Sequence, residues 1–284
     1  MVVIYHANCH DGMAAAWCFH RVKEFDFEFV PGYHGSPPPA DLRNRFVFIA
    51  DFSYPRTYMN YIIGEAAFAW LLDHHYGALK ALNGLRASNF SMQYCTEERS
   101  GAGIAWEFTQ RFFRREDEEP PPVLRCIEDR DLWRFALEDT RELFAGVASY
   151  KISLEEFDRL MALNEAGLEE LKRDGRAILR YREQNIGVII GSASRKVLLR
   201  SADGNEWPVT LVNAPHMYAS DIGDRLSADG DIVATYYDSK DHRLFSLRSK
   251  GQEDVSKIAA AFGGSGHRNA AGFRVPKTHP LSKI

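Results

Sequence analysis

The sequence predicts an α/β fold, and three observations carry that expectation. Short apolar runs alternate with amphipathic stretches through the first half, the pattern of a parallel sheet flanked by helices. Several of these runs end abruptly in chemistry-bearing polar residues, among them Asp51 and Asp73-His74-His75. Beyond residue 185 the pattern changes to β-rich runs punctuated by turns such as Ala202-Asp203-Gly204-Asn205, which predicts a smaller α/β domain with a mixed sheet.

Taken in order, the expected strands of the first half are Val2–Tyr5, Glu28–Val30, Phe46–Ala50, Ala67–Leu72 and Phe90–Tyr94. Between them Gly12–Val22, Pro55–Gly64, Gly77–Leu82 and Gly101–Arg114 read as helices, the second opening on a proline that the first turn tolerates. An exposed acidic and proline-rich break is expected at residues 115–122, and Val123–Leu137 returns to a helical pattern. Ser153–Arg182 is rich in strong helix formers and reads as a connecting helical segment. Strands are expected at Ile186–Ile190, Arg195–Leu199, Pro208–Val212, Asp231–Tyr237 and Leu244–Arg248, followed by a helix at Val255–Phe262. This gives a first domain over residues 1–150, a helical linker over 151–184 and a second domain over 185–284.

Composition narrows the function classes. With 284 residues, 45% hydrophobic and 26% charged, the chain has a core to bury and belongs to neither the disordered nor the collagenous classes. Thirty-five basic residues against 39 acidic ones leave a formal charge of −4, so there is no cationic surplus for gripping a long nucleic-acid duplex. Cys9, Cys18, Cys95 and Cys126 lie far apart without a CxxC pair, which indicates neither a disulfide framework nor a structural zinc site. No window approaches a membrane span, and the first residues lack a basic signal-type start. A cytoplasmic protein without a membrane partner is expected.

The chemistry concentrates where the expected strands end. The first runs into His6-Ala7-Asn8-Cys9-His10-Asp11-Gly12, the third ends in Asp51, and the fourth ends in Asp73-His74-His75. Open α/β sheets place their ligands at that edge. Alone, Asp51 reads as a helix N-cap or turn; three such endings read as a site. Mixed carboxylates and imidazoles suit Mn²⁺ or a similar borderline divalent ion, and two ions would need ligands from several strands.

In its motifs the sequence resembles the DHH phosphoesterase superfamily. The resemblance rests on five motifs in order: His6 to Gly12, Asp51, Asp73-His74-His75, Asp129-Arg130-Asp131-Leu132-Trp133, and Gly263-Gly264-Ser265-Gly266-His267-Arg268-Asn269-Ala270-Ala271-Gly272-Phe273 of a DHH-associated domain. It implies a metal shell of His6, Asp11, Asp51, Asp73, His74 and an acidic residue of the fourth motif, Asp129 or Asp131, with Asp131 favoured by its place beside Leu132-Trp133. It also implies that His75 supports the site or touches the scissile phosphate. The first motif departs from the family's common form, because Cys9 stands where a first aspartate would be. A thiolate, Asn8 or water could fill that place, and Cys9 also reads as a small packed residue.

The glycine motif alone reads as a helix C-cap followed by a turn. With His267 beside open backbone amides it reads as an anion clamp. In the family this loop binds the substrate's terminal nucleotide and faces the metals across a cleft. Gly264, Ser265, Gly266, His267, Arg268, Asn269 and Arg248 are the candidate substrate contacts. His20 on the first helix and His34, His216, His242 and His279 in loops read as ordinary surface histidines, while Tyr54, Tyr76 and Phe273 read either as base-stacking or as packing residues.

The resemblance implies a Mn²⁺-dependent phosphoesterase holding two ions, with Mg²⁺ or Co²⁺ as substitutes, and with Asp51 bridging and His75 stabilising charge. Its oligoribonuclease-like branch points to nano-RNA, linear dinucleotides or 3′,5′-bisphosphorylated nucleosides as substrates. An inorganic polyphosphatase or pyrophosphatase and a catalytically silent nucleotide sensor are the alternatives, and a homodimer is left open as the assembly.

Overall fold

Strands buried on both faces read as unbroken apolar runs, and the first sheet is built from such runs. The computed structural model describes residues 1–114, 118–228 and 230–284. Its first half runs β1 (Val2–His6), α1 (His10–His20), β2 (Glu28–Gly32), β3 (Phe46–Ala50), α2 (Arg56–Glu65), β4 (Phe68–Leu72), α3 (Tyr76–Leu82), β5 (Phe90–Ser91) and α4 (Gly101–Phe112). All neighbouring strands pair in parallel, in the order β2-β1-β3-β4-β5. Side chains alternate across a strand, so each strand feeds two cores. Val3, Phe48 and Leu72 pack with α1 and α4, while Val2, Ile4, Val47, Ile49 and Leu71 pack with Met59 and Ile62 of α2 and Leu82 of α3.

Next come α5 (Pro122–Asp131), α6 (Thr140–Val147), α7 (Leu154–Met161) and α8 (Glu165–Ala193). The helix expected to reach Leu137 stops at Asp131, because Trp133 (φ 55°) and Phe135 (φ 50°) take left-handed conformations that no helix continues through. The expected break at 115–122 includes residues 115–117, which lie outside the described residues.

The chain divides into two compact units, Met1–Leu179 and Arg180–Ile284. In the second, β6 (Ser194–Arg200), β7 (Glu206–Asn213), α9 (Ala219–Leu226), β8 (Val233–Asp238), β9 (His242–Arg248), α10 (Val255–Ala261), β10 (Ser265–His267) and β11 (Ala270–Pro276) form a mixed sheet in the order β10-β11-β9-β8-β7-β6. Only β7 and β8 pair in parallel among these strands. The strand expected at Ile186–Ile190 is instead the last part of α8. Its β-branched residues favoured a strand, but Ile186, Ile189, Ile190 and Ala193 recur at helical spacing and pack on Val212, Ala214 and Ile222. Val188, which a strand would place on the same face as Ile186, is 70% exposed.

Candidate metal centre

Sheet order brings β1 and β3 together at the centre, and the winding reverses between them. Connections leaving two such strands diverge and open a crevice at their C-terminal ends. His6 closes β1 and Asp51 follows β3 directly, so both stand at this crevice. Asn8 (φ 57°) and Asp51 (φ 55°) adopt the left-handed conformation, which Asn and Asp tolerate better than other side chains. Strain of this kind persists where the surrounding structure enforces it, as at ligand sites.

Asp11 lies in the first turn of α1 and is buried. One oxygen, Oδ1, accepts from Ser100 Oγ at 2.6 Å and from the Ala102 amide at 3.1 Å, both at the start of α4. Its other oxygen, Oδ2, has no hydrogen-bond partner among the described residues, and neither do His6 Nδ1 and Asp51 Oδ2. His74 Nε2 lies 3.1 Å from Asp51 Oδ1, 3.6 Å from Asp131 Oδ2 and 3.9 Å from Asp11 Oδ2, while His6 Nδ1 is 3.4 Å from Asp51 Oδ2. Three sets therefore offer ligand atoms within 4.8 Å of one another: His6 with Cys9 and Asp51, Asp51 with His74 and His75, and Asp11 with His74 and Asp131.

Two of the expected ligands are occupied elsewhere. Asp73 is fully buried, and its Oδ1 accepts from the His74 amide (2.8 Å) and His75 Nδ1 (2.7 Å), while its Oδ2 accepts from Ser53 Oγ. It thus anchors the His75 ring rather than joining a ligand set. Asp129 turns away from the cluster: its carboxylate accepts from the Ala136 amide (2.9 Å), the Leu137 amide (3.2 Å) and Thr140 Oγ1 (2.5 Å). Two residues along a helix rotate by roughly 200°, so Asp131 reaches His74 and Asp129 holds the turn into α6.

Burial raises the Asp129 pKa, but these three hydrogen bonds outweigh it and hold the carboxyl below its usual value. Its contribution to stability is therefore present above about pH 4 and is lost as pH falls below that. Asp129→Ala would leave several buried donors unpaired and should destabilise the fold by about 3 kcal/mol at pH 7. Urea unfolding at pH 7 and pH 3 checks this, with the difference between the two proteins shrinking in acid.

The electrostatics fit a cationic occupant. Burial and the Asp51 and Asp131 carboxylates push Asp11 well above the usual range, against the hydrogen bonds from Ser100 and Ala102. Burial and Asp51 likewise raise Asp131, against the opposing pull of His74. Asp51 is held low: burial opposes ionisation, but the neighbouring His6 and His74 imidazoles and the charges of His74 and His75 prevail. For His75, burial is outweighed by Asp73, and its pKa rises to about 9. Buried carboxylates with unpaired oxygens, imidazoles and one thiol match the donor set of a divalent metal.

The other candidates lie in the second unit. The glycine motif is a hairpin rather than an open loop: Ser265, Gly266 and His267 pair with Gly272, Ala271 and Ala270 around an Arg268-Asn269 turn. Gly264 is tied to the Ala259 carbonyl at 2.8 Å, and Arg268 reaches the Gln252 carbonyl at 2.7 Å. Arg248 is paired opposite Ala270, and its guanidinium donates to Ser220 Oγ at 3.0 Å. Burial lowers its pKa. Ser265, Gly266, His267, Arg268 and Asn269 are all exposed.

Sequence reading missed several residues around the cluster. The His34 ring lies 5.1 Å from His6 and 5.0 Å from Phe52. It follows the end of β2, the neighbour of β1, and that strand-end position was the available signal. Ser53 and Ser100 carried no signal, since serines at helix and strand ends are commonplace.

No protein-family model matches the chain. It is 32% identical to an uncharacterized protein of Acanthamoeba polyphaga mimivirus, over 96% of this chain and 66% of that protein's length. Among solved structures, a DHH domain from a member of the s1p family of ribosomal proteins has a TM-score of 0.62 at 12% identity, covering 99% of this chain and 84% of that one. RecJ from Thermus thermophilus, in complex with Mn²⁺, has a TM-score of 0.54 at 13% identity, covering 96% of this chain and 49% of that one. The chain has the fold of that DHH domain.

Proposed function

We propose that the chain is a divalent-metal-dependent phosphoesterase that hydrolyses short oligoribonucleotides or related small nucleotides. One observation carries the reading: buried, unpartnered atoms of His6, Asp11 and Asp51 converge at the crevice where the winding of the sheet reverses. Asp51 belongs to one set with His6 and Cys9 and to another with His74 and His75, which supports its serving two ions. His6, Cys9 and Asp51 would hold one ion, and Asp11, His74 and Asp131 the other, with Asp51 also grouped with His74 beside that second set. Bound there, divalent ions would supply the Lewis acidity that makes water nucleophilic near neutral pH and offsets charge on phosphate oxygens.

The chain's own residues do the positioning. Ser100 and the Ala102 amide fix the Asp11 carboxylate with Oδ2 free. Asp73 fixes the His75 ring and favours its charged form, which suits the imidazolium to offset negative charge on a phosphate oxygen. Within the second unit, the exposed His267 and the Arg248 guanidinium remain candidate donors to a phosphate. No covalent intermediate is needed, since none of these groups has to act as a nucleophile.

The fold shared with a Mn²⁺-bound RecJ supports Mn²⁺ as the first ion to test. Protein stripped with a chelator and then given Mn²⁺ should cleave a labelled diribonucleotide to mononucleotides, and chelator should stop the reaction. Tight binding of the diribonucleotide without product would favour a silent sensor. Release of phosphate from polyphosphate, with the diribonucleotide left intact, would overturn the nucleotide substrate.

A further inference from the structure

The ligand sets at the two ends of the cluster differ in chemistry. Asp11, His74 and Asp131 offer oxygen and imidazole only, whereas His6, Cys9 and Asp51 bring a sulfur. We propose that Cys9 coordinates metal as a thiolate beside His6 and Asp51, so that this half of the centre selects a borderline ion such as Zn²⁺, Fe²⁺ or Co²⁺ over Mn²⁺ or Mg²⁺. The inference rests on the metal-dependent reading above and refines it to a centre with two unlike halves.

Position supports this assignment. Cys9 is the N-cap of α1, with extended backbone and no side-chain capping bond, at a position where Ser, Thr, Asp or Asn would stabilise the helix. The other cysteines each have a local partner: Cys18 contacts the Ala102 carbonyl, Cys95 the Leu71 carbonyl and Cys126 the Thr140 carbonyl. None of those three joins a ligand set among the described residues. Asp51, whose Oδ2 lacks a hydrogen-bond partner, is only 1% exposed and lies in the same set as the Cys9 sulfur.

Chemistry sets the preference. Thiolate ligands favour Zn²⁺ and similar ions, while carboxylate and water suit Mg²⁺ and Mn²⁺. Without metal, burial and the nearby Asp51 and Asp11 carboxylates keep the thiol protonated, although the Gly12 amide favours the thiolate. On binding, the S–H bond breaks, the sulfur keeps the electron pair and donates it to the ion, and the proton passes to solvent.

Cobalt gives a readout independent of turnover. Chelator-stripped protein titrated with Co²⁺ should develop a near-ultraviolet thiolate-to-cobalt charge-transfer band. Cys9→Ser and Cys9→Asp should lack the band, and Cys9→Asp should lower the ratio of Zn²⁺ to Mn²⁺ affinity by at least about tenfold. Circular dichroism of each variant confirms that the fold is kept. If Co²⁺ binds the native protein without the band, or if folded Cys9→Asp keeps it, the thiolate assignment is overturned while the phosphoesterase reading stands. If the native protein binds neither Co²⁺ nor Mn²⁺, both fall together.

Discussion

Asp51→Asn should reduce hydrolysis by on the order of 10³-fold or more, the scale of losing one charge-stabilising group from a water-excluded site, and should remove measurable metal binding. Asn is the informative substitution, because residue 51 sits at φ 55° and Asn accepts that conformation where Ala would add strain. An amide oxygen still accepts from His74, but the charge that two ions would share is gone. The substitution also relieves repulsion from Asp11 and Asp131, which Asp51 presses toward their protonated forms. The metal-free variant should therefore lose no more than about 1 kcal/mol of stability. Isothermal titration with Mn²⁺ and thermal melts in chelator separate the two effects.

Gly101→Ala should damage the site through backbone packing. A Cβ at Gly101 would stand 2.3 Å from Asp51 Cβ and 2.7 Å from its Cγ and Oδ1, far inside any tolerated contact. Gly101 opens α4 next to Ser100 and Ala102, whose hydroxyl and amide hold Asp11. Relieving the clash must therefore move Asp51, the start of α4, or both. We expect a loss of about 1–3 kcal/mol of stability together with loss of Mn²⁺ affinity, read by urea unfolding and metal titration. Gly64→Ala is the matched control. Nothing lies within 4 Å of that site in α2, so the added methyl should stabilise the helix by up to about 1 kcal/mol and leave metal affinity unchanged.

The order of elements was legible because a parallel sheet buried on both faces leaves unbroken apolar runs, against which Asp51 and Asp73-His74-His75 stand out. Which carboxylate faces the centre was less legible. Asp129 and Asp131 differ by a helical rotation, and only the left-handed turn after Asp131 shows that the Asp129 oxygens are taken by Ala136, Leu137 and Thr140. Asp73 reads in sequence as a ligand beside its histidines, yet tertiary contacts with Ser53 and His75 use its oxygens. His34 could not be found from a motif, since its place near His6 comes from the pairing of β2 with β1. Local composition also misled at Ile186–Ile190, where β-branched residues concealed a helical face, and in the glycine motif, where small residues closed a hairpin.

The most direct test of the account is anomalous diffraction from a crystal soaked in Co²⁺. Two peaks are expected, one against Asp11, His74 and Asp131 and one against His6, Cys9 and Asp51. A crystal in which cobalt avoids these side chains, or binds only at the protein surface, would contradict it.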